Sequence, residues 1–402
     1  MGWAGDAGCT PRPPIRPRPA SERRVIIVLF LGLLLDLLAF TLLLPLLPGL
    51  LERHGREQDP LYGSWQRGVD WFASAIGMPA EKRYNSVLFG GLIGSAFSLL
   101  QFFSAPLTGA ASDYLGRRPV MMLSLTGLAI SYAVWATSRS FKAFLASRVI
   151  GGISKGNVNL STAIVADLGS PPTRSQGMAS SVTLGFHTAA HLLSPLALLR
   201  FAAVTHSQDP PAEHRLRNLR RLGLVYFLYL FLFSGLEYTL SFLAHQRFQF
   251  SSLQQGKMFF FIGLTMATIQ GTYARRISPG KEAAAVTRAM LLLVPAFLLI
   301  GWAHSLPTLG LGLMLYSFAA AVVVPGLSTM VSSYGSPGQK GTIMGILRSL
   351  GALGRALGPV VAASVYWLTG AQVCFTVCSA LFLLPFLLLW KLKHPAETSK
   401  EE

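Results

Sequence analysis

Six ionisable side chains interrupt apolar runs of this sequence: Asp36, Arg148, Lys155, Glu237, Arg348 and Arg355. A charge surrounded by hydrocarbon is costly, so such groups face a wet cavity or one another. Asp36 stands in LLLDLLAFTLLLPLLP, about eleven residues or ~16 Å into its run at the helical rise, where a carboxyl can exchange a proton. The plainer alternative for it is a hydrogen bond to a neighbouring helix. Arg148 and Lys155 are seven residues apart, as are Arg348 and Arg355, so each pair projects from one face of a continuous helix. Four cations against two carboxylates favour an anionic substrate, its carboxylate held by charge-assisted hydrogen bonds from arginine. Arg148 and Arg348 lie near enough to span ends to snorkel or pair structurally, whereas Lys155 and Arg355 lie deeper. Gln101, Asn157, Asn159 and Tyr238 can add neutral hydrogen bonds to such a site, or merely tie helices together.

The elements that must position these groups are membrane-spanning helices. Of 402 residues, 51% are hydrophobic and 13% charged, roughly half the ~25% charged of a soluble domain. Soluble enzymes and DNA-binding modules are poor readings. The net charge of +17 is no nucleic-acid signature either, because the basic residues fall in short clusters between apolar runs. A bilayer core of ~30 Å takes about 20 helical residues. Ten runs of that kind are expected, at about 25–51, 85–109, 119–138, 141–166, 222–244, 257–274, 287–304, 306–331, 341–367 and 371–390. With both termini cytoplasmic, the inner segments of the second half hold twelve Lys and Arg against Arg247 and Lys257 outside. Residues 178–200, with His187, His191 and Pro195, read as an interfacial helix, and 201–221 as a polar, arginine-rich linker. Cys9, Cys374 and Cys378 are packing residues rather than a disulfide framework. No HExxH motif occurs in a span and no strand-to-helix serine elbow is expected in one, so no enzyme, metal or cofactor is expected.

After the second span comes GAASDYLGRRP, residues 109–119, read as a short loop with room only for small residues at Gly109 and Gly116. Asp113 can meet the positive end of a neighbouring helix, while Arg117 and Arg118 stay in the headgroup layer or reach Asp167. This stretch closely resembles the signature loop between the second and third helices of the major facilitator superfamily. Arg148 followed by Gly151, Gly152 and Gly156 resembles that superfamily's fourth-helix motif. Asp36 followed by Pro45 and Pro48 resembles the first helix of its drug/proton antiporter branch. The resemblance covers residues 1–179 and 188–402. It implies an all-α, polytopic bundle of the major facilitator type, working by alternating access. It further implies an antiporter of organic anions or amphiphilic drug-like solutes, coupled to protons. In that picture Asp36 carries the proton, Lys155 and Arg355 attract the anion, and Asp113 with Arg117 latches the cytoplasmic side.

One departure from the family pattern is visible within the chain. GSPPTRSQGMA, from Gly169, echoes GSPGQKGTIMG, from Gly335, as matching loops of two half-repeats would. The second copy runs on into SLGALGRALGPVVAA, a helix ending in Gly358 and Pro359, whereas the first passes directly into the linker. The expected organisation is therefore a tail (1–24), a truncated four-span bundle lacking the fifth and sixth helices (25–177), a linker (178–221), a six-span bundle (222–390) and a second tail (391–402). Losing two spans preserves parity, so the second half can still insert with its basic loops inside. Two readings follow: a transporter, or a non-transporting scaffold or regulator associated with the full-length form. The expected partners are a small organic anion and the bilayer, with no nucleic acid, in the plasma membrane or an internal one.

Overall fold

The computed structural model describes residues 24, 27–36, 60–75, 85–158, 160, 161, 164, 195–205, 213–277, 280–334 and 340–392. Every regular element among them is helical. In chain order these are α1 (Ile27–Asp36), α2 (Pro60–Ala75), α3 (Asn85–Leu115), α4 (Arg117–Thr137), α5 (Phe141–Ser154), α6 (Pro195–Leu199) and α7 (Ala202–Thr205). The second half follows with α8 (Glu213–Phe248), α9 (Ser252–Thr272), α10 (Glu282–Trp302), α11 (Leu306–Tyr334), α12 (Lys340–Thr369), α13 (Ala371–Leu381) and α14 (Leu383–Trp390). Seven helical stretches are long and apolar enough to cross a membrane, drawn from α3, α4, α8, α10, α11, α12 and the α13–α14 pair. Three of the ten expected spans are not among them. Only ten residues of the first are described, α5 stops after 14, and α9 carries Gln254, Gln255, Lys257 and Gln270 among its 21.

Three boundaries differ from expectation, each for a physical reason. α3 does not end at 109 but runs nearly two turns further, because Ala110, Ala111 and Ser112 are compatible with a helix and Ser112 Oγ donates back to the Gly109 carbonyl at 2.7 Å. The connection to α4 is a single residue, Gly116, whose φ of +94° is strained for any side chain. The expected span at 141–166 is interrupted: α5 ends at Ser154, Lys155 and Gly156 form a turn closed by Gly156 N–H to the Ser154 carbonyl at 2.7 Å, and the described residues 157, 158, 160, 161 and 164 are helical again. Finally, the loop at 52–84 holds the amphipathic α2, whose Val69, with Tyr62, Trp65 and Phe72, packs on Ile93, Phe141 and Phe144.

The second lobe has the larger core, with stacked rings at its centre: Phe233 on Tyr316 at 5.0 Å and Phe297 on Phe382 at 5.5 Å. Arg247, expected on the outer side, has a local partner. Its Nη1 donates to the Gly301 and Ala303 carbonyls at 2.8 and 2.9 Å, capping the C-terminal end of α10.

The lobes meet on α3 and α12. A Cβ at Gly345 would lie 2.9 Å from the Ala105 carbonyl oxygen and 3.3 Å from Gly109 Cα, so glycine at 345 permits the backbones to touch. Proline chemistry adds a polar tie. Pro106 has no N–H, which leaves the carbonyl four residues earlier, on Phe102, without its helical donor. Ser349 Oγ of α12 supplies one at 2.6 Å. The same device recurs inside the second lobe, where Pro325 releases the Ala321 carbonyl and Gln270 Nε2 of α9 donates to it at 3.4 Å. Ser349→Ala is expected to lower the stability of the folded bundle by about 1–3 kcal/mol, the range for stranding a buried acceptor. Thermal unfolding in detergent measures it.

Candidate functional site

Asp36 is the centre of a buried polar network in the first lobe. It is 8% exposed, at the end of the described part of α1. Lys155 Nζ approaches both carboxylate oxygens, at 2.9 Å to Oδ1 and 2.7 Å to Oδ2. Asn157 Nδ2 donates to Oδ2 at 2.8 Å, and Tyr132 of α4 donates its hydroxyl to Oδ1 at 2.9 Å. The turn that ends α5 makes this possible. A continuous helix would put Asn157 about 200° around the axis from Lys155, whereas the break lets both reach one carboxylate.

Arg148 sits 4% exposed in an aromatic niche, its guanidinium 5.1 Å from the Trp135 ring centre and 5.8 Å from that of Phe144. Nε donates to Ser147 Oγ at 3.5 Å, and the buried Nη2 has no hydrogen-bond partner among the described residues. Arg148 and Arg355 are both within electrostatic range of Lys155.

In the second lobe, Glu237 of α8 accepts a hydrogen bond from Tyr316 of α11 and lies within electrostatic range of Arg355. Arg355 of α12 crosses the lobe boundary: its Nη2 donates to Gln101 Oε1 of α3 at 3.3 Å. Arg348, one α12 heptad earlier, lies within range of Arg355, and its buried Nε has no hydrogen-bond partner. The Tyr226 and Tyr229 hydroxyls are likewise buried without partners.

Of the six intramembrane ionisable residues picked from the sequence, the structure pairs Asp36 with Lys155, joins Glu237 to Tyr316, ties Arg355 across the lobe boundary to Gln101, and places Arg148 and Arg348 within electrostatic range of Lys155 and Arg355 respectively. It changes one relationship. Lys155 is not a separate cation but the partner of Asp36, so the surplus positive charge rests on arginines. Of the neutral candidates, Asn157 and Gln101 join the network, Tyr238 packs edge-on against Phe242 at 5.4 Å, and Asn159 lies outside the described residues. Tyr132 and Tyr316 were not legible as members, since a tyrosine in an apolar run carries no signal of which acid it will meet.

Of the residues expected to form a cytoplasmic gate, Gly109 is buried at the α3–α12 contact and Gly116 forms the turn. Arg117 Nη1 donates to Ser112 Oγ at 2.6 Å, and Arg118 lies at the start of α4. The Asp113 side chain and Asp167 lie outside what the structure describes, as do residues 178–194 and most of both tails.

A helical bundle with seven stretches able to cross a membrane, its two lobes meeting on α3 and α12 and each burying ionisable residues, suits a membrane transporter. The Major Facilitator Superfamily model matches residues 29–205, 192–359 and 284–402, and the chain belongs to the major facilitator superfamily, a family of membrane transporters. Major facilitator superfamily domain-containing protein 10 of Mus musculus is 88% identical over 456 aligned positions, and its counterpart in Homo sapiens 70%, with 100% of this chain and of each relative covered. The tetracycline resistance protein, class D, of Salmonella ordonez is 25% identical over 378 residues, covering 83% of this chain and 87% of its own. A crystal structure described as that of the human organic anion transporter MFSD10 (TETRAN) superposes with a TM-score of 0.85 at 71% identity, covering 92% of this chain and 99% of the other. The 456 aligned positions exceed the 402 residues here by 54, so at least that many positions of the mouse relative face a gap in this chain.

Proposed function

We propose that the chain carries organic anions across the membrane by alternating access, with both termini on the cytoplasmic side. The observation that carries the anion preference is the unequal pairing inside the bundle. Asp36 and Glu237 oppose Arg148, Lys155, Arg348 and Arg355, and unpartnered guanidinium N–H groups remain on Arg148 and Arg348. Buried guanidinium donors without acceptors suit a carboxylate or sulfonate. The likeness to the human relative described as an organic anion transporter supports the same class. Asp36 is the proton carrier in this reading, and its pairing gives the coupling a sign. A proton on Asp36 releases Lys155 to the anion, so proton and anion load together. Antiport then takes the form of exchange against a second anion.

The test is flux of a radiolabelled aromatic carboxylate into proteoliposomes. Arg355→Gln is expected to reduce uptake at least ~100-fold, since removing a charged partner from a desolvated anion is worth about 3–5 kcal/mol. Uptake unchanged by Arg355→Gln, with uptake of an organic cation instead, rejects the anion class.

The 54-position gap favours a second reading, a non-transporting form that associates with its full-length counterpart. Two spans of about 20 residues with their loops account for a gap of that size. α9 also leaves Leu253, Phe260, Phe261 and Leu264 exposed along one side. Flux through this chain measured beside the longer form separates the readings: zero flux here with normal flux there establishes the second.

A further inference from the structure

The start of α8 carries a cluster of arginines that the transport network does not use. α8 has 36 residues, which is ~54 Å at the helical rise against a bilayer core of ~30 Å, so its first turns project beyond the hydrocarbon. On that projecting stretch Leu216, Leu219 and Leu222 are buried in the same cluster as Leu198, Phe201 and Val204 of the connector. The side away from this contact carries Arg217, Arg220 and Arg221, all exposed and spaced so that they share one helix face.

Two backbone acceptors tie that face to its surroundings. Arg220 Nε donates to the Arg200 carbonyl at 3.0 Å, and Arg221 Nη1 to the Lys391 carbonyl at 3.4 Å. The exposed residues Arg200 and Lys391 are thereby brought to the same patch from 20 and 170 positions away in sequence. Each tie occupies one of the five N–H donors of its guanidinium, leaving the fork geometry that fits a phosphate. Glu213, at the helix start, is the nearby described acid. Leu196 on α6, 60% exposed, is an apolar side chain on the connector beside these cations.

We propose that this patch binds a bilayer phospholipid whose headgroup bears several phosphates. Five cations on and beside one helix face, four of them belonging to residues joined by the two backbone ties, exceed what a singly charged headgroup can engage, and an exposed leucine on the connector suits the acyl end of a lipid. The patch lies on the cytoplasmic side in the proposed orientation, but binding by micelle-held protein does not depend on which side it faces.

The full chain in neutral detergent is titrated with phosphatidylinositol 4,5-bisphosphate, with phosphatidylserine at matched total charge, and with soluble inositol 1,4,5-trisphosphate. Binding is read by native mass spectrometry and by the shift in melting temperature. The bisphosphate lipid is expected to bind more tightly than both comparators. The triple variant Arg217→Gln, Arg220→Gln, Arg221→Gln should lose on the order of 100-fold in affinity, from roughly five-fold per cation. The triple lysine variant, which keeps the charges but loses the fork, should bind with an affinity between those of wild type and the glutamine variant. A melting temperature of the glutamine variant equal to wild type without lipid shows that the fold is intact. If it is lowered, the same comparison is made on Arg200→Gln with Lys391→Gln, expected to lose about 25-fold. Equal binding of phosphatidylserine, equal binding of the soluble trisphosphate, or full retention by the glutamine variants overturns the proposal.

Discussion

Lys155→Met is expected to destabilise the bundle by about 3–5 kcal/mol, the range for removing one partner of a buried ion pair. The reason is geometric. Lys155 Nζ contacts both oxygens of Asp36, and the two remaining donors, from Tyr132 and Asn157, are neutral. With the ammonium gone, a carboxylate is left in a site that is 8% exposed. Replacing both residues, Asp36→Leu with Lys155→Met, should recover most of the loss, because an apolar pair of similar volume carries no desolvation penalty. Unfolding in detergent of wild type, both single variants and the double variant completes the cycle. A double variant no more stable than Lys155→Met alone would show that the pair is not what holds α1 to the segment after α5.

The same pair shows how far the sequence could be read. Asp36 and Lys155 were recognisable individually, because a charge in an apolar run is rare enough to demand an explanation. Their pairing was not, because it depends on a turn at Lys155 and Gly156, carried by the short polar run SKGN at 154–157, that falls inside an otherwise apolar stretch reading as one continuous span. Helical spacing alone placed Lys155 on a face with Arg148, and the break instead presents it to α1. Glycine positions fared in a parallel way. Gly116 was recognisable as needing a small residue, but the loop around it proved to be one residue long, since Ala and Ser are as compatible with a helix as with a turn. Pro106 did carry an unread signal. A proline inside a membrane helix releases the carbonyl four residues before it, so a donor opposite Phe102 could have been sought among helices able to touch α3. Ser349 stands next to Arg348 on α12, and finding it required knowing that α12 is the neighbour. Most of the second half was legible because its long apolar helices are bounded by basic clusters. α2 was not, because a 16-residue amphipathic helix in a mixed-charge loop has no membrane signal at all.

Anion binding should strengthen as pH falls, and Asp36→Asn should abolish that dependence while holding affinity near the acid limit. The sign follows from competition. The ionised Asp36 carboxylate occupies Lys155 at 2.7 Å, so an entering carboxylate meets an ammonium already neutralised. Protonating Asp36 removes the competitor, and Lys155 then adds its charge to those of Arg148 and Arg355, which lie within its electrostatic range. One additional charge-assisted hydrogen bond is worth about 1.5–3 kcal/mol, or roughly 10- to 150-fold in affinity. A neutral amide cannot hold an ammonium as a carboxylate does, so Asp36→Asn should bind tightly at every pH yet fail to accumulate anion in response to a proton gradient. Titrating a fluorescent aromatic carboxylate against the purified chain at a series of pH values tests the binding arm. Proteoliposome uptake with and without an imposed gradient tests the coupling arm. Weaker binding at low pH in the wild-type chain would reverse the coupling, making proton and anion competitors, and would remove Lys155 from the anion site.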